Sequence, residues 1–283
     1  MTQEVTETAA QWGRRILREI RRQPYTGDEV KWFGQAAIMK QIKPFLFNQE
    51  PFPHTILLGE PGLGKTHLAR YIAYVRDEAF EEILAPVDPM AMPTRGVVLL
   101  DEVHRQRSPE VLFQAMKYEV PTIIAATTRP EMVDKAFRSR FFLELHLRPY
   151  EPEDMKLLVG SHLGASEETL EALGYASGGN PRQAERLALV AERLGTTDVE
   201  VILSTCHITG DGLTIDHIEY LRLLVKMKKP VGLSQIVTLL YMDETTVKQL
   251  ERLLLDLDLI QLNQNGRKIT RAGTDYVREF DKN

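Results

Sequence analysis

The chain has 283 residues, 43% apolar and 27% charged, which is enough for about two average domains. That composition excludes a disordered polar chain, and the apolar runs are too short for a membrane-crossing helix. The net charge of -5 divides unevenly: residues 1–50 carry 8 basic and 6 acidic groups, residues 51–212 carry 16 and 24, and residues 213–283 carry 11 and 10. An acidic chain does not steer itself to nucleic acid, so any DNA contact must come from local basic spots or from many subunits each offering a few. Residues 1–10 are polar and acidic and predict no secretory signal. The single cysteine, Cys206, can form neither an internal disulfide nor a Cys-based metal site. Both features point to a reduced, cytoplasmic protein.

In chain order, Trp12, Ile16 and Ile20 recur every fourth residue and predict one apolar helix face. Five arginines cover the rest of residues 12–22. This reads either as a solvated docking helix or as a phosphate or subunit contact. A break at residues 24–28 follows, and Phe33-Gly34-Gln35 opens a second helical stretch through Phe47. The pattern then changes. Residues 55–58, 97–100 and 122–126 are short apolar runs, read as buried parallel strands, with residues 142–145 as a fourth. Strands alternating with helices predict a doubly wound α/β sheet. Such sheets carry their working residues just past the strands' carboxyl ends, where the polar clusters of this chain stand.

Residues 151–207 carry helical signals only, with helices expected at 153–163, 166–177 and 181–194. After Gly210-Asp211-Gly212 a third module begins. Ile215, Ile218, Leu221, Leu224 and Val225 have helical spacing, and residues 233–240 and 245–255 predict two more helices. Asn265-Gly266 then stands between alternating segments, a strong hairpin signal. Three helices and a hairpin describe a winged helix. The expected organisation is an N-terminal helical segment (1–30), a nucleotide-binding α/β domain (31–149), a small helical lid (150–210) and a winged helix (211–283).

Gly59-Glu60-Pro61-Gly62-Leu63-Gly64-Lys65-Thr66 matches the phosphate-loop pattern. The glycines let backbone N–H groups wrap a phosphate, and the helix starting near Gly64 adds its positive end. Lys65 reaches the β- and γ-oxygens, and the Thr66 hydroxyl ligates Mg²⁺. Asp101 and Glu102 end the second apolar run. There an acidic pair holds the Mg²⁺ shell (Asp101) and polarises the attacking water (Glu102). ATP and Mg²⁺ are the expected cofactors. His104, two residues on, is open between a structural hydrogen bond and a coupling role.

The set Gly59–Thr66, Leu100-Asp101-Glu102-Val103-His104-Arg105, Ala125-Ala126-Thr127-Thr128-Arg129-Pro130, Arg138-Ser139-Arg140-Phe141 and Gly179-Asn180-Pro181-Arg182 resembles AAA+ ATPases. Within them it looks most like RuvB, the Holliday-junction branch-migration motor. Phe33-Gly34-Gln35, the start of the lid at Tyr150, Pro152 and Asp154, and the winged helix agree. The resemblance covers nearly the whole chain after residue 30. It implies that Thr128 orients water near the γ-phosphate as sensor 1. Arg140 would be the arginine finger donated to a neighbour's ATP, and Arg182 would read the γ-phosphate in cis as sensor 2. Tyr150 and the backbone at Phe33 and Gly34 would pack around adenine. A finger acting in trans implies a homo-oligomer, and the family expectation is a ring of six.

Two departures stand out. Between Met116 and Pro121 there are only four residues, where RuvB proteins carry a β-hairpin that docks their junction-recognition partner. Residues 76–96 are short and proline-rich. A protein partner other than the usual one is therefore expected. For DNA, the wing offers Arg267, Lys268 and Arg271 and the preceding helix offers Lys248 and Arg252, among Glu244, Glu251, Asp256 and Asp258. That balance predicts a few backbone contacts without base readout, or else a protein-binding winged helix. The primary expectation is an oligomeric ATPase that moves DNA. The alternative is an ATP-controlled loader or recruitment switch gripping a helicase- or clamp-like partner.

Overall fold

The computed structural model describes residues 32–87, 92–106, 110, 112–113, 116–117 and 121–282. The chain divides into two compact units, the first ending at Arg148 and the second beginning at Pro149.

The first unit is built on five parallel strands: β1 (Thr55–Leu58), β2 (Phe80–Leu84), β3 (Val97–Asp101), β4 (Thr122–Thr127) and β5 (Leu143–His146), in the order β2-β3-β4-β1-β5. β1 and β4 are buried along their whole length, as a parallel sheet covered on both faces requires. Alternation sorts the side chains of these strands. Leu57, Leu99, Ile124 and Leu145 pack with Ile38, Ile42, Leu68 and Ile72 from helices α1 (Ala36–Leu46) and α2 (Lys65–Val75). Ile56, Leu58, Val98, Leu100, Ile123 and Ala125 face a second cluster containing Phe137 and Phe141. Phe137 lies in the short helix α3 (Lys135–Arg138). The doubly wound α/β fold expected from the apolar runs is present.

Three details differ from the sequence reading. β2 was not anticipated: its sequence, FEEIL, is half-exposed at the sheet edge and presents no apolar run. The fourth expected strand starts one residue later, because Phe142 is 71% exposed and lies outside the ladder. α1 tolerates Pro44 inside it and starts at Gln35, which takes left-handed φ 50°.

The second unit opens with four helices, α4 (Pro152–His162), α5 (Glu167–Ala176), α6 (Pro181–Leu194) and α7 (Val199–Cys206). The last was not foreseen. Side-chain caps start three of them: Ser166 accepts from Thr169 N–H, Asn180 from Arg182 N–H, and Asp198 from Glu200 and Val201 N–H, each satisfying donors a helix start leaves orphaned. The same unit continues with α8 (Ile215–Met227), α9 (Leu233–Leu240), α10 (Glu244–Asp256), the hairpin β6 (Ile260–Asn263) and β7 (Gly266–Ile269), and α11 (Arg271–Phe280). Tyr220, Leu221, Ile236, Val247, Leu254 and Ile260 form its core. Asn263 pairs with Gly266 across the turn, and Val231 bridges to Arg267. This is the expected winged helix with one further helix, α11, whose Tyr276 hydroxyl bonds Thr209 and Asp211 at 3.0 Å each.

Candidate nucleotide site

The loop between β1 and α2 carries Gly62 at φ 84° and Gly64 at φ 86°, left-handed conformations that favour glycine. Gly64 is the N-cap of α2 and no side chain caps that helix. The first-turn N–H groups therefore present an uncapped positive end, an arrangement suited to phosphate. Lys65 is buried, and its Nζ donates to the carbonyls of Gly59 and Glu60 at 2.9 Å each. The ammonium thus lies against the loop it would share with a phosphate. Gly59–Thr66 is the segment the sequence singled out.

Asp101 and Glu102 end β3, two strands from β1 in the sheet. Burial pushes the Asp101 carboxyl above its ordinary range; the Glu102 N–H, donating to Asp101 Oδ1 at 2.9 Å, opposes this, as does the charge of Lys65. Among the described residues no group of three or more His, Cys, Asp or Glu could hold a metal. That fits Mg²⁺ bound mainly through substrate phosphates and water, with Asp101 and the Thr66 hydroxyl as protein donors, rather than an all-protein cage.

Glu102 takes left-handed φ 52°, a strained conformation for a non-glycine residue of the kind that clusters at functional sites. Thr128, just past β4, donates from Oγ1 to its carboxylate oxygens at 3.2 and 3.0 Å. His104, in the 3-10 turn Val103–Arg105, places Nδ1 3.1 Å from Glu102 Oε2 and 2.9 Å from Thr127 Oγ1. Burial lowers the pKa of His104, with the Glu102 carboxylate opposing, which keeps the ring neutral near pH 7. Thr127, expected only to pack or cap, also accepts from Arg129 N–H at 3.0 Å. The structure therefore brings Glu102 and Thr128 together and adds His104 and Thr127. The apolar runs carried no signal for the last two, although both lie inside the quoted motifs.

Phe33 and Gly34 lie beside features the sequence did not flag. Trp32 donates from Nε1 to Gly34 O at 3.1 Å and stacks on His67, ring centroids 5.8 Å apart. Gln35 exchanges hydrogen bonds with the Arg148 backbone, pinning this segment near the exit of β5. Arg140 is exposed, with its guanidinium 5.0 Å from the Phe113 ring centroid. Arg138 instead pairs with Glu144 at 3.3 Å. In the second unit Tyr150 is buried and donates its N–H to Gly179 O at 2.9 Å. Arg182 is exposed in the first turn of α6.

On the winged helix, Arg267 has a different partner from the expected phosphate. Its Nε donates to the buried Glu251 at 2.7 Å, and Tyr220 donates to the same carboxylate oxygen at 2.8 Å. Lys268 is exposed, Arg271 is 97% exposed, and Lys248 pairs with Glu244 at 2.6 Å. Residues 12–22 and 118–120, the second being the stretch where a docking hairpin was expected to be lacking, lie outside the described residues. No described helix is long and apolar enough to cross a membrane.

Comparison with known proteins agrees over most of the chain. Residues 210–278 match the RuvB C-terminal winged helix domain. The Holliday junction branch migration complex subunit RuvB of Anaplasma marginale (strain Florida) is 30% identical over 298 residues, covering 87% of this chain and 90% of that protein. The corresponding subunit of Ehrlichia ruminantium (strain Gardel) is 27% identical, with 88% and 90% covered. Among solved structures, the Thermotoga maritima RuvB Holliday junction branch migration motor superposes with a TM-score of 0.74 at 23% identity, covering 87% of this chain and 95% of that one. That last likeness shows the α/β AAA+ fold with a C-terminal winged helix.

Proposed function

We propose that this chain, which belongs to the RuvB family, is an AAA+ ATPase that couples ATP hydrolysis in an oligomeric ring to branch migration of DNA. The observation that carries this reading is the Glu102 carboxylate held by Thr128 at the ends of β3 and β4, on the same sheet whose β1 feeds the Lys65 loop.

The residues divide the work. Residues 31–149 would form the nucleotide domain, 150–210 the lid and 211–283 the winged helix. Gly59–Thr66 wraps the phosphates, and Lys65 exchanges the carbonyls of Gly59 and Glu60 for phosphate oxygens. Thr66 and Asp101 would hold Mg²⁺, which when bound neutralises charge on the β- and γ-phosphates. Glu102 polarises the water that attacks the γ-phosphorus as the bond to the ADP oxygen breaks, and Thr128 orients that water. Phe33, Gly34 and Tyr150 pack around adenine, and Arg182 reads the γ-phosphate in cis. The exposed Arg140 serves a neighbour's site, so the complete catalytic set needs two protomers, in a ring of six. Lys268, Arg271, Lys248 and Arg252 touch the DNA backbone without reading bases. The relatives are named as subunits of a branch migration complex. Carried to this chain, those names favour a motor over an ATP-controlled loader or recruitment switch.

The test is steady-state ATPase activity against protein concentration, without DNA and with single strands, duplex or a four-way junction. Cooperative activity stimulated by duplex or junction is expected. It should vanish in Lys65→Ala and in Arg140→Ala, and mixing the two variants should restore part of it. Activity that stays flat on every DNA overturns the motor.

A further inference from the structure

We propose that His104 is a positioning residue for Glu102: its Nδ1–H holds one carboxylate oxygen so that the other faces the attacking water. The proposal rests on the ATPase reading above.

The geometry is built from the backbone outward. β3 ends at Asp101, and Glu102 turns the chain through φ 52° into the 3-10 turn Val103–Arg105. That turn brings His104 back beside the residue two before it. The His104 side chain is 7% exposed and the Glu102 side chain 22%, so the contact forms a wall of the site rather than part of its rim. Carboxylate oxygens only accept hydrogen bonds. An Nδ1 that lies 3.1 Å from Glu102 Oε2 must therefore carry the proton. Thr127 Oγ1, 2.9 Å from the same nitrogen, steadies the ring from β4. The Arg129 N–H, donating to that hydroxyl at 3.0 Å, fixes Thr127 in turn. The chain Arg129–Thr127–His104–Glu102 thus ties the carboxylate to the backbone just past β4.

Its consequence follows from Thr128. That hydroxyl now spans both Glu102 oxygens, but a sensor must turn toward the γ-phosphate to act. Among the described residues, His104 is then the side chain left holding Glu102. A carboxylate on a strained backbone position with no second contact would lose its aim, and outer-shell contacts of this kind typically cost about 10- to 100-fold when removed.

Three substitutions separate the contact from mere packing. Asparagine places its amide nitrogen where Nδ1 stands, whereas glutamine places it near Nε2. His104→Ala and His104→Gln should lower kcat by about 10-fold or more, with the ATP KM and the ADP Kd from calorimetry held within about twofold. His104→Asn should keep kcat within about threefold of the wild type. Retention of kcat by His104→Ala, equal rescue by glutamine and asparagine, or loss of ADP binding in step with kcat would each overturn the proposal. Nitrogen-15 imidazole spectra of the wild-type protein provide a readout independent of turnover and of variant folding. A neutral His104 ring protonated on Nδ1 is expected, and protonation on Nε2 overturns the contact. A wild-type protein that hydrolyses no ATP overturns the ATPase reading instead, and the tautomer still decides the contact.

Discussion

Arg267 grips Glu251 with two nitrogens, Nε 2.7 Å from Oε1 and Nη2 3.2 Å from Oε2, and the carboxylate they share is 5% exposed. A charge buried to that degree is tolerated only when paired and hydrogen-bonded. Tyr220 supplies the third donor, and burial together with the Glu251 contact drives its phenol pKa up, so it stays a donor. The pair joins α10 to the first residues of the wing at the Val231 bridge, so it sets where the wing stands. Arg267→Ala would leave Glu251 buried beside a single neutral donor. The expected loss is about 3 kcal/mol of unfolding free energy, read by urea denaturation of the whole chain. A loss under about 0.5 kcal/mol would show the pair to be solvated.

The wing's outward cations behave differently. Lys268 and Arg271 are exposed, so Lys268→Ala and Arg271→Ala should leave stability within about 0.5 kcal/mol. Each should weaken DNA binding equally across sequences and reduce the slope of log K against log salt by about 0.9, one phosphate contact per residue. Binding isotherms on two unrelated duplexes at four salt concentrations decide the point. An unchanged slope in both variants would move the DNA contact off the wing.

These two predictions mark where residue patterns stopped being informative. β1, β3 and β4 could be read because strands buried on both faces leave continuous apolar runs. The phosphate loop could be read because its chemistry needs fixed residue types at fixed spacing. β2 could not, since an edge strand containing Glu81 and Glu82 needs no such run. The basic count around the wing treated Arg267 and Lys268 as equivalent. What separates them is which one meets Glu251 from a helix 16 residues earlier, a tertiary fact with no local signature. His104 was visible as a motif member, but its partner depends on a backbone turn at Glu102 that no period encodes.

Thr128 tests the catalytic end of the sheet. Thr128→Val keeps the shape and removes the hydroxyl that donates to Glu102. The expected result is a fall in kcat of about 100-fold with the ADP Kd within twofold. Calorimetry and a phosphate-release assay on the same preparation measure both. A rise in Kd that matches the loss of turnover would place Thr128 in ground-state binding.

The last prediction concerns pH and lies away from the nucleotide. α8 begins with a capping box in which Thr214 N–H donates to His217 Nδ1 at 3.0 Å, with the Thr214 hydroxyl 2.8 Å from the same nitrogen. That nitrogen works as an acceptor, so the cap exists only while it carries no proton. Burial lowers the His217 pKa from 6.5 to about 4. Between these values the unfolded chain binds a proton that the folded chain refuses, so stability falls as pH drops. The contribution is complete above the unfolded value and is lost progressively through pH 6.5 to 4. Between pH 7 and pH 5 the expected loss from this one residue is about 2 kcal/mol. Other groups titrate in the same window, so the comparison is between wild type and His217→Gln, which keeps an acceptor able to reach the Thr214 N–H and has no proton to gain. The difference in unfolding free energy between the two proteins should move by about 2 kcal/mol in favour of the glutamine variant on acidification. A difference that stays constant with pH would mean that His217 takes up its proton without giving up the cap.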